Sequence, residues 1–218
     1  MLDVDNDIDT RLIPESITKP NVLIVEGKDD KLFLGALIKH LAIESIQVLP
    51  IGGKTKFGKN LKGLKPTPGF DDVKSLGIIR DADTNPKSAF QSVCDALDDV
   101  GLPVPDKPLE PAGQEPSVTV LILPKENASG CLETLCLEAQ EREPAMHCVE
   151  EYFECLRKHG VSEPSNPSTL CKAKVHVFLA SKKKAGLRLG ESARSKYGYW
   201  PWDHNAFDQV RDFLRGIS

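Results

Sequence analysis

The feature that most constrains the fold is a run of four aliphatic residues, Val22 to Val25, which ends at Glu26 and Gly27. A short, branched apolar run of this kind is typical of a β-strand covered on both faces, as in a parallel sheet. Gly27 permits a tight turn, and an amphipathic helical pattern follows it directly. Because open α/β sheets bind their ligands beyond the carboxyl ends of their strands, we expect Glu26 to lie at the binding edge of such a sheet.

A second stretch repeats this arrangement, because the strand-like residues 76–80 are followed by Asp81-Ala82-Asp83. In an extended chain the side chains of Asp81 and Asp83 point the same way, and two like charges held together are unfavourable unless a cation neutralises them. Oxygen ligands without histidine favour Mg²⁺, Mn²⁺ or Ca²⁺ over zinc or copper. The alternative is that one aspartate caps the next helix, although Asn85 and Pro86 already provide an N-cap and a proline at the first helical position.

Asp30 follows Glu26 by four residues, so the two side chains face one way if a helix begins near Gly27. An acid in the first turn of a helix is also favoured by capping and by the helix dipole, and this accounts for Asp29 and Asp30 without a ligand. That account is weaker for Glu26, which directly follows four aliphatic residues.

The order of patterns along the chain predicts an α/β fold with a parallel sheet of about four strands flanked by helices, and a helical C-terminal extension. The predicted strands are 22–25, 46–49, 76–80 and 118–123. The predicted helices are 28–41, 86–100, 131–142, 145–159, 170–181, 186–196 and 204–215. We divide the chain into a flexible acidic arm (1–20), an α/β domain (21–142) and a helical extension packed on the same domain (143–218).

Composition bounds the class of protein. The chain has 218 residues, 40% of them hydrophobic and 28% charged, which is ordinary for a globular protein. No apolar run reaches the roughly 20 residues of a membrane span, and the acidic N-terminus does not resemble a signal peptide, so we expect a cytoplasmic protein. The six cysteines include no C-x-x-C pair and fit no standard zinc spacing. We expect most of them to be small buried hydrophobic residues.

Positive charge is concentrated in two stretches of an otherwise acidic chain. Residues 51–70 hold five lysines and no acid, and residues 171–199 hold eight basic residues and one acid. This segregation suits a surface that binds a polyanion such as DNA or RNA, but it also suits two solvated lysine-rich faces, and both interpretations stay open. The candidate nucleic-acid residues are Lys54, Lys56, Lys59 and Lys62. The aromatic residues between Tyr197 and Trp202 either stack on unpaired bases or, as we favour, pack the C-terminal helices onto the core.

The motif from Val22 to Gly27, together with Ile78-Ile79-Arg80-Asp81-Ala82-Asp83, resembles the Toprim domain of topoisomerases, primases and related nucleases. The arrangement is most similar to the Toprim part of OLD-family nucleases and their small relatives. In that family the first glutamate and the D-x-D build a Mg²⁺ site for phosphoryl-transfer chemistry on nucleic acids. The similarity extends to Gly52-Gly53-Lys54 and to Gly130-Cys131-Leu132-Glu133, and covers about residues 22–140.

The resemblance implies metal ligands at Glu26, Asp30, Asp81, Asp83 and Glu133, with Mg²⁺ or Mn²⁺ as cofactor. It implies catalytic roles for Glu26, Asp81, Asp83 and a downstream lysine, for which we select Lys174 over Lys172 and Lys182–Lys184. Glu133 also fits a simpler role in the first turn of a helix, where a carboxylate satisfies exposed amides.

The predicted function is metal-dependent cleavage of nucleic-acid phosphodiesters, and the resemblance implies a role in phage defence or repair. Unlike OLD nucleases, this sequence contains no Walker-type glycine loop, so we expect a partner ATPase or another protein partner. It also lacks a primase-like zinc ribbon and the context of a topoisomerase tyrosine. The alternatives are a non-catalytic Toprim module that binds nucleic acid or a protein, and a hydrolase of small phosphorylated molecules.

Overall fold

The sheet of the molecule has four strands, all parallel, in the order β2-β1-β3-β4. A computed structural model describes residues 14–218, apart from the side chain of Lys54. The strands are β1 (Asn21–Val25), β2 (Ile46–Pro50), β3 (Ser75–Asp81) and β4 (Ser117–Leu123). The predicted α/β fold with a parallel sheet is therefore confirmed, and β1 and β3, which precede the predicted acids, are its two central strands.

Helices cover both faces of this sheet. They are α1 (Lys28–His40), α2 (Phe57–Leu64), α3 (Pro86–Asp99), α4 (Leu132–Ala139), α5 (Pro144–Lys158), α6 (Pro167–Ala180), α7 (Leu189–Ser192) and α8 (Asp208–Gly216). Short 3₁₀ turns occupy 54–56, 70–72 and 205–207. None of the helices in this described part of the chain has the length and apolar character needed to cross a membrane.

Two helices differ clearly from the prediction. α6 begins at Pro167 rather than near residue 170, because Asn166 caps it by accepting a hydrogen bond from the Thr169 amide at 3.1 Å. The helix predicted over 186–196 is only the four-residue α7. Gly190 in α7 packs so closely on α1 that a Cβ there would lie 2.7 Å from the Asp29 carbonyl oxygen, so this segment follows the surface of α1.

Each face of the sheet carries its own hydrophobic core, because successive residues of a strand point to opposite faces. Leu23 and Val25 of β1 pack with α1, α4, α5, α6 and α8, whereas Val22 and Ile24 pack with α2 and α3. All five residues of β1 are buried, which explains its continuous apolar run. The C-terminal helices thus share a core with α1 and the sheet.

The segment before β1 is described only in part. Residues 1–13 of the predicted acidic arm lie outside the described residues. Ile17 is buried, and its amide donates a hydrogen bond to the Pro68 carbonyl at 2.8 Å. The Thr18 amide donates to Gln47 Oε1 at 2.8 Å, which holds this segment beside β2.

Candidate functional site

The candidate site lies at the carboxyl ends of β1 and β3. Parallel strands bring their carboxyl ends to the same edge of a sheet, so the residues that follow β1 and end β3 meet there. Glu26 comes directly after β1 and Asp81 is the last residue of β3. The Asp81 amide donates a hydrogen bond to Glu26 Oε1 at 3.3 Å.

Glu26 is held by a buried cation. Arg80 Nε lies 3.5 Å from Glu26 Oε1, and the two side chains are 7% and 20% exposed. Burial raises the pKa of Glu26, the charge of Arg80 opposes this rise, and the charge of Asp83 adds to it. Gly52 and Gly53, which follow β2, both donate their amides to the Glu26 carbonyl oxygen, so the backbone at this position is fixed as well.

Asp81 is fixed from two sides. Its Oδ1 accepts a hydrogen bond from the amide of Leu132, the first residue of α4, at 3.0 Å. Its Oδ2 lies 3.5 Å from Lys172 Nζ. Burial raises the pKa of Asp81 well above its usual value, and the negative charges of Asp30 and Glu26 raise it further.

Asp30 lines the same small cavity as Glu26 and Asp81. Its Oδ2 accepts a hydrogen bond from the Gly27 amide at 2.8 Å, so it does cap α1 as a first-turn acid can. Burial raises the pKa of Asp30 to about 6, the Gly27 hydrogen bond opposes the rise, and the charges of Glu133 and Glu26 add to it. Asp30 thus combines a capping contact with a place among the acids.

Glu133 stands in the first turn of α4. Ligand atoms of Asp81, Cys131 and Glu133 all lie within 4.8 Å of one another. Glu133 Oε2 is buried and has no hydrogen-bond partner among the described residues. The capping contact at this helix is made instead by Thr134, whose Oγ1 accepts from the Cys131 amide at 3.1 Å. We call Glu26, Asp30, Asp81 and Glu133 the acidic cluster.

Asp83 is placed differently from the other predicted acids. It adopts a left-handed conformation with a φ of 52°, so the alternation expected of an extended chain does not extend to it. Its backbone pairs with Gly130 through two hydrogen bonds, of 2.9 and 2.8 Å. This pairing joins the end of β3 to the loop before α4, and the charge of Asp83 acts on Glu26.

The lysine beside the acidic cluster is Lys172, whereas the selected Lys174 is paired with Glu150. Lys174 Nζ lies 2.7 Å from both carboxylate oxygens of Glu150 and 5.8 Å from the Phe153 ring centroid, so it faces α5. Residues two apart on a helix point about 200° apart, so only one of the two lysines can face the cluster. Burial would lower the pKa of Lys172, but the charges of Asp81 and Glu133 outweigh it and raise this pKa.

Arg80 is a second cation that the sequence-based site did not include. It is 6% exposed, and its Nε and Nη1 have no hydrogen-bond partner among the described residues. The signal was present in the sequence, since an arginine inside a buried strand requires a charged partner. Lys172 gave no such signal, because several basic residues follow Cys171 at similar spacing.

Residues 20–218 match a family described as a protein of unknown function, DUF3226. This chain belongs to the DUF3226 family. No curated protein matches it.

Structures of the C-terminal region of the Xanthomonas campestris pv. campestris OLD protein are similar to this DUF3226 protein. The mercury-phased structure has 17% identity and a TM-score of 0.46, over 91% of this chain and 98% of that chain. The iodine-phased structure has 19% identity and a TM-score of 0.46, over 91% and 97%. The platinum-phased structure has 19% identity and a TM-score of 0.44, over 90% and 94%.

The predicted nucleic-acid lysines of this DUF3226 protein lie in α2 (Lys59 and Lys62) and in the turn just before it (Lys54 and Lys56). Phe57, Leu61 and Leu64 form its buried side. Lys56, Lys59 and Lys62 are exposed, whereas the side chain of Lys54 lies outside the described part. Because α2 follows the loop in which Gly52 and Gly53 bind the Glu26 carbonyl, this lysine-bearing segment starts at the same edge of the sheet as the acidic cluster.

The aromatic residues near the C-terminus mostly pack, as favoured from the sequence. Trp200 is 4% exposed and its ring lies 5.4 Å from that of Phe33. Trp202 packs on the same ring at 4.9 Å.

The cysteines are all free, and the prediction that most are buried holds for half of them. Cys94, Cys131 and Cys136 are buried, Cys171 is half-buried, and Cys148 and Cys155 are exposed on α5.

Proposed function

We propose that this protein is a Toprim-type nuclease that uses Mg²⁺ or Mn²⁺ to cleave nucleic-acid phosphodiesters. The observation that carries the proposal is the acidic cluster, in which Glu26, Asp30 and Asp81 line one cavity and Asp81 lies close to Glu133. These are positions to which the Toprim resemblance of the sequence assigns metal ligands.

The charges and donor atoms of the cluster fit a divalent cation. Its four carboxylates face two cations, Arg80 and Lys172, so full ionisation leaves net negative charge in a largely buried place. The raised pKa values of Glu26, Asp30 and Asp81 reflect this burial and the mutual repulsion of the acids. A cation bound to carboxylate oxygens would relieve the repulsion and would give the buried Glu133 Oε2 a partner.

Asp81 and Glu133 would hold the ion, with Glu26 and Asp30 completing the set of oxygen ligands. When bound, Mg²⁺ or Mn²⁺ supplies an activated water and stabilises the leaving oxygen of a phosphodiester. Mg²⁺ demands oxygen ligands, which makes the Cys131 thiol a neighbour rather than a ligand.

The residues of the chain itself position these groups and supply positive charge. The amides of Asp81 and Leu132, together with Arg80, fix the carboxylates of Glu26 and Asp81 before substrate arrives. Lys172 stays protonated beside Asp81, where its ammonium would stabilise negative charge that develops on a phosphate. The exposed lysines of α2 would bind the phosphate backbone next to this edge.

One observation favours a second candidate, a non-catalytic module that binds nucleic acid or a protein. Arg80 and Lys172 already neutralise part of the acidic cluster from within. If the ion pair with Lys172 is sufficient to neutralise Asp81 without a metal, the acidic cluster has only a structural role, which is to hold α6 against the sheet. The two candidates differ in what metal removal and Asp81→Asn should do.

The test is a cleavage assay with single- and double-stranded DNA and RNA in Mg²⁺, Mn²⁺ or EDTA. The proposal predicts cleavage that needs the metal and that falls at least 100-fold in Asp81→Asn, while thermal unfolding shows the variant to be folded. Binding without cleavage in every metal would support the non-catalytic module instead. Hydrolysis of small phosphate esters alone would indicate the third class, a hydrolase of small phosphorylated molecules.

A further inference from the structure

A wide groove runs along α1 on the side of the molecule where β2 forms the edge of the sheet. It encloses about 1260 Å³ and is lined by one face of α1, the strand β2 and residues between 193 and 202. Pockets for small ligands usually enclose about 300–1,000 Å³, so this open groove suits an extended polymer better than a small molecule.

The face of α1 in the groove follows helical spacing. Phe33, Leu34, Leu37 and Ile38 are the buried residues of this helix. Lys31, Gly35 and Lys39, each four residues from the next, line the groove, and so do Leu32 and Ala36 beside them. Small residues thus form the middle of the floor, with a lysine towards each end.

The charge of the groove is positive in an acidic protein. Its lining includes Lys19, Lys31, Lys39 and Arg194, and no Asp or Glu occurs among the described residues that line it. The whole chain carries a net charge of −4. His40 also lines the groove, but it is paired at 3.1 Å with Asp203, which lies just outside. The three lysines give the groove charge complementarity to a polyanion.

Aromatic side chains line the same groove. Trp202 packs on Phe33 and Tyr199 stacks on Tyr197, but both are only half-buried, so the exposed part of each ring remains accessible from the groove. Trp200 is almost fully buried. A basic groove with partly exposed aromatic rings is the arrangement by which proteins bind single-stranded nucleic acid, because cations neutralise the phosphates and the rings stack on unpaired bases. An acidic peptide would use the cations but would gain little from the rings.

We propose that this groove binds single-stranded nucleic acid. The inference rests on the proposed function and deepens it by naming the strandedness of the substrate and the surface that holds it. α1 carries Asp30 of the acidic cluster in its first turn and Lys31 of the groove next to it. A strand lying along α1 therefore leads towards the acidic cluster.

Gly35 offers a sharp test, because a Cβ at this position would have no heavy atom within 4 Å. Gly35→Glu puts a carboxylate on the floor of the groove, and Gly35→Gln is its uncharged match in size. Both substitutions remove a glycine from the interior of a helix, so neither should lower the melting temperature. The probe is a fluorescently labelled 12-nucleotide single strand, with binding measured by anisotropy in EDTA.

We expect the wild type and Gly35→Gln to bind alike and Gly35→Glu to bind at least 10-fold more weakly. If three lysine or arginine side chains contact phosphates, wild-type affinity should fall about 20-fold between 50 and 200 mM salt. A duplex of the same sequence should bind more weakly than the single strand. Equal binding by the two Gly35 variants would overturn the proposal, and so would tighter binding of the duplex.

Two further arms separate the alternatives. If Lys56→Glu loses binding and Gly35→Glu binds as the wild type does, the nucleic acid lies on α2. That result would contradict the groove proposal but not the proposed nuclease function. Displacement of the strand by an equal concentration of a polyaspartate peptide would mean that the groove takes an acidic protein segment. Binding is measured in EDTA and is therefore independent of cleavage. If the protein binds the single strand as expected but cleaves nothing in any metal, the proposed nuclease function is refuted and the groove proposal still holds.

Discussion

Lys172 Nζ lies 3.5 Å from Asp81 Oδ2, and this contact joins helix α6 to the end of a central strand. Lys172 is 91 positions away from Asp81 in the sequence. Burial alone would lower the pKa of Lys172, but the negative charges of Asp81 and Glu133 outweigh burial and raise it. The helices after residue 143 therefore contribute a charge to the candidate site in addition to covering the sheet.

This contact leads to a prediction for a matched pair of lysines on α6. Lys172→Gln should lower metal-dependent cleavage by about 10²–10³-fold, as expected when one donor that stabilises developing charge is removed. Lys174→Gln should leave cleavage within about 2-fold and cost at most about 1 kcal/mol of stability, since it breaks only a partly exposed pair with Glu150. Single-turnover cleavage rates and urea unfolding measure both. Equal rates in the two variants would exclude a role for Lys172 in the reaction.

The raised pKa of Asp30 predicts how stability depends on pH in EDTA. An acid whose pKa rises from 3.8 to about 6 on folding binds more protons in the folded state than in the unfolded state. The contribution of Asp30 to the free energy of unfolding therefore falls by up to about 3 kcal/mol as pH rises from about 4 to about 6, and it is lowest above pH 6.

Asp30→Asn should remove this dependence while keeping an oxygen for the Gly27 amide. The measurement is the difference in unfolding free energy between wild type and Asp30→Asn at pH 4 and pH 7, in EDTA. We expect the variant to gain stability relative to wild type at pH 7 but not at pH 4. If the difference in unfolding free energy does not change with pH, the pKa of Asp30 is not raised in the folded protein.

Glu133 distinguishes a ligand from a helix cap. Thr134 makes the capping contact of α4, and Glu133 Oε2 is buried without a hydrogen-bond partner among the described residues. Glu133→Gln should therefore abolish cleavage or shift its Mn²⁺ requirement, because an amide is a poorer ligand for a hard cation, without lowering the melting temperature in EDTA. Glu138→Gln, at an exposed position of the same helix, is the control and should behave as wild type. Full cleavage by Glu133→Gln with a modest stability loss would indicate only a helix-dipole role.

The sequence was sufficient to predict the sheet and the first acids of the site. Val22 to Val25 must be buried on both faces, and this requirement leads directly to a central parallel strand and to Glu26 and Asp81 at one edge. Local signals of this kind depend only on alternation and on the direction of strands.

The remaining features depend on contacts between distant parts of the chain. Lys172 and Lys174 are equivalent in the sequence, and only the packing of α6 against α4 and α5 decides which one faces the acids. The short α7 follows from the close approach of Gly190 to α1, and the turn at Asp83 follows from its pairing with Gly130. The basic groove is likewise formed where residues 193–202 pack beside α1 and β2, which lie far from them in the chain.

The most direct test of the account is a calorimetric titration of Mn²⁺ into the wild type and Asp81→Asn at pH 7, with melting temperatures measured with and without metal. If the acidic cluster holds the ion, the wild type should bind Mn²⁺ and melt at a higher temperature with it. Asp81→Asn should bind at least 10-fold more weakly and lose this stabilisation. Equal binding by the two proteins, or no binding by either, would contradict a metal centre at the ends of β1 and β3.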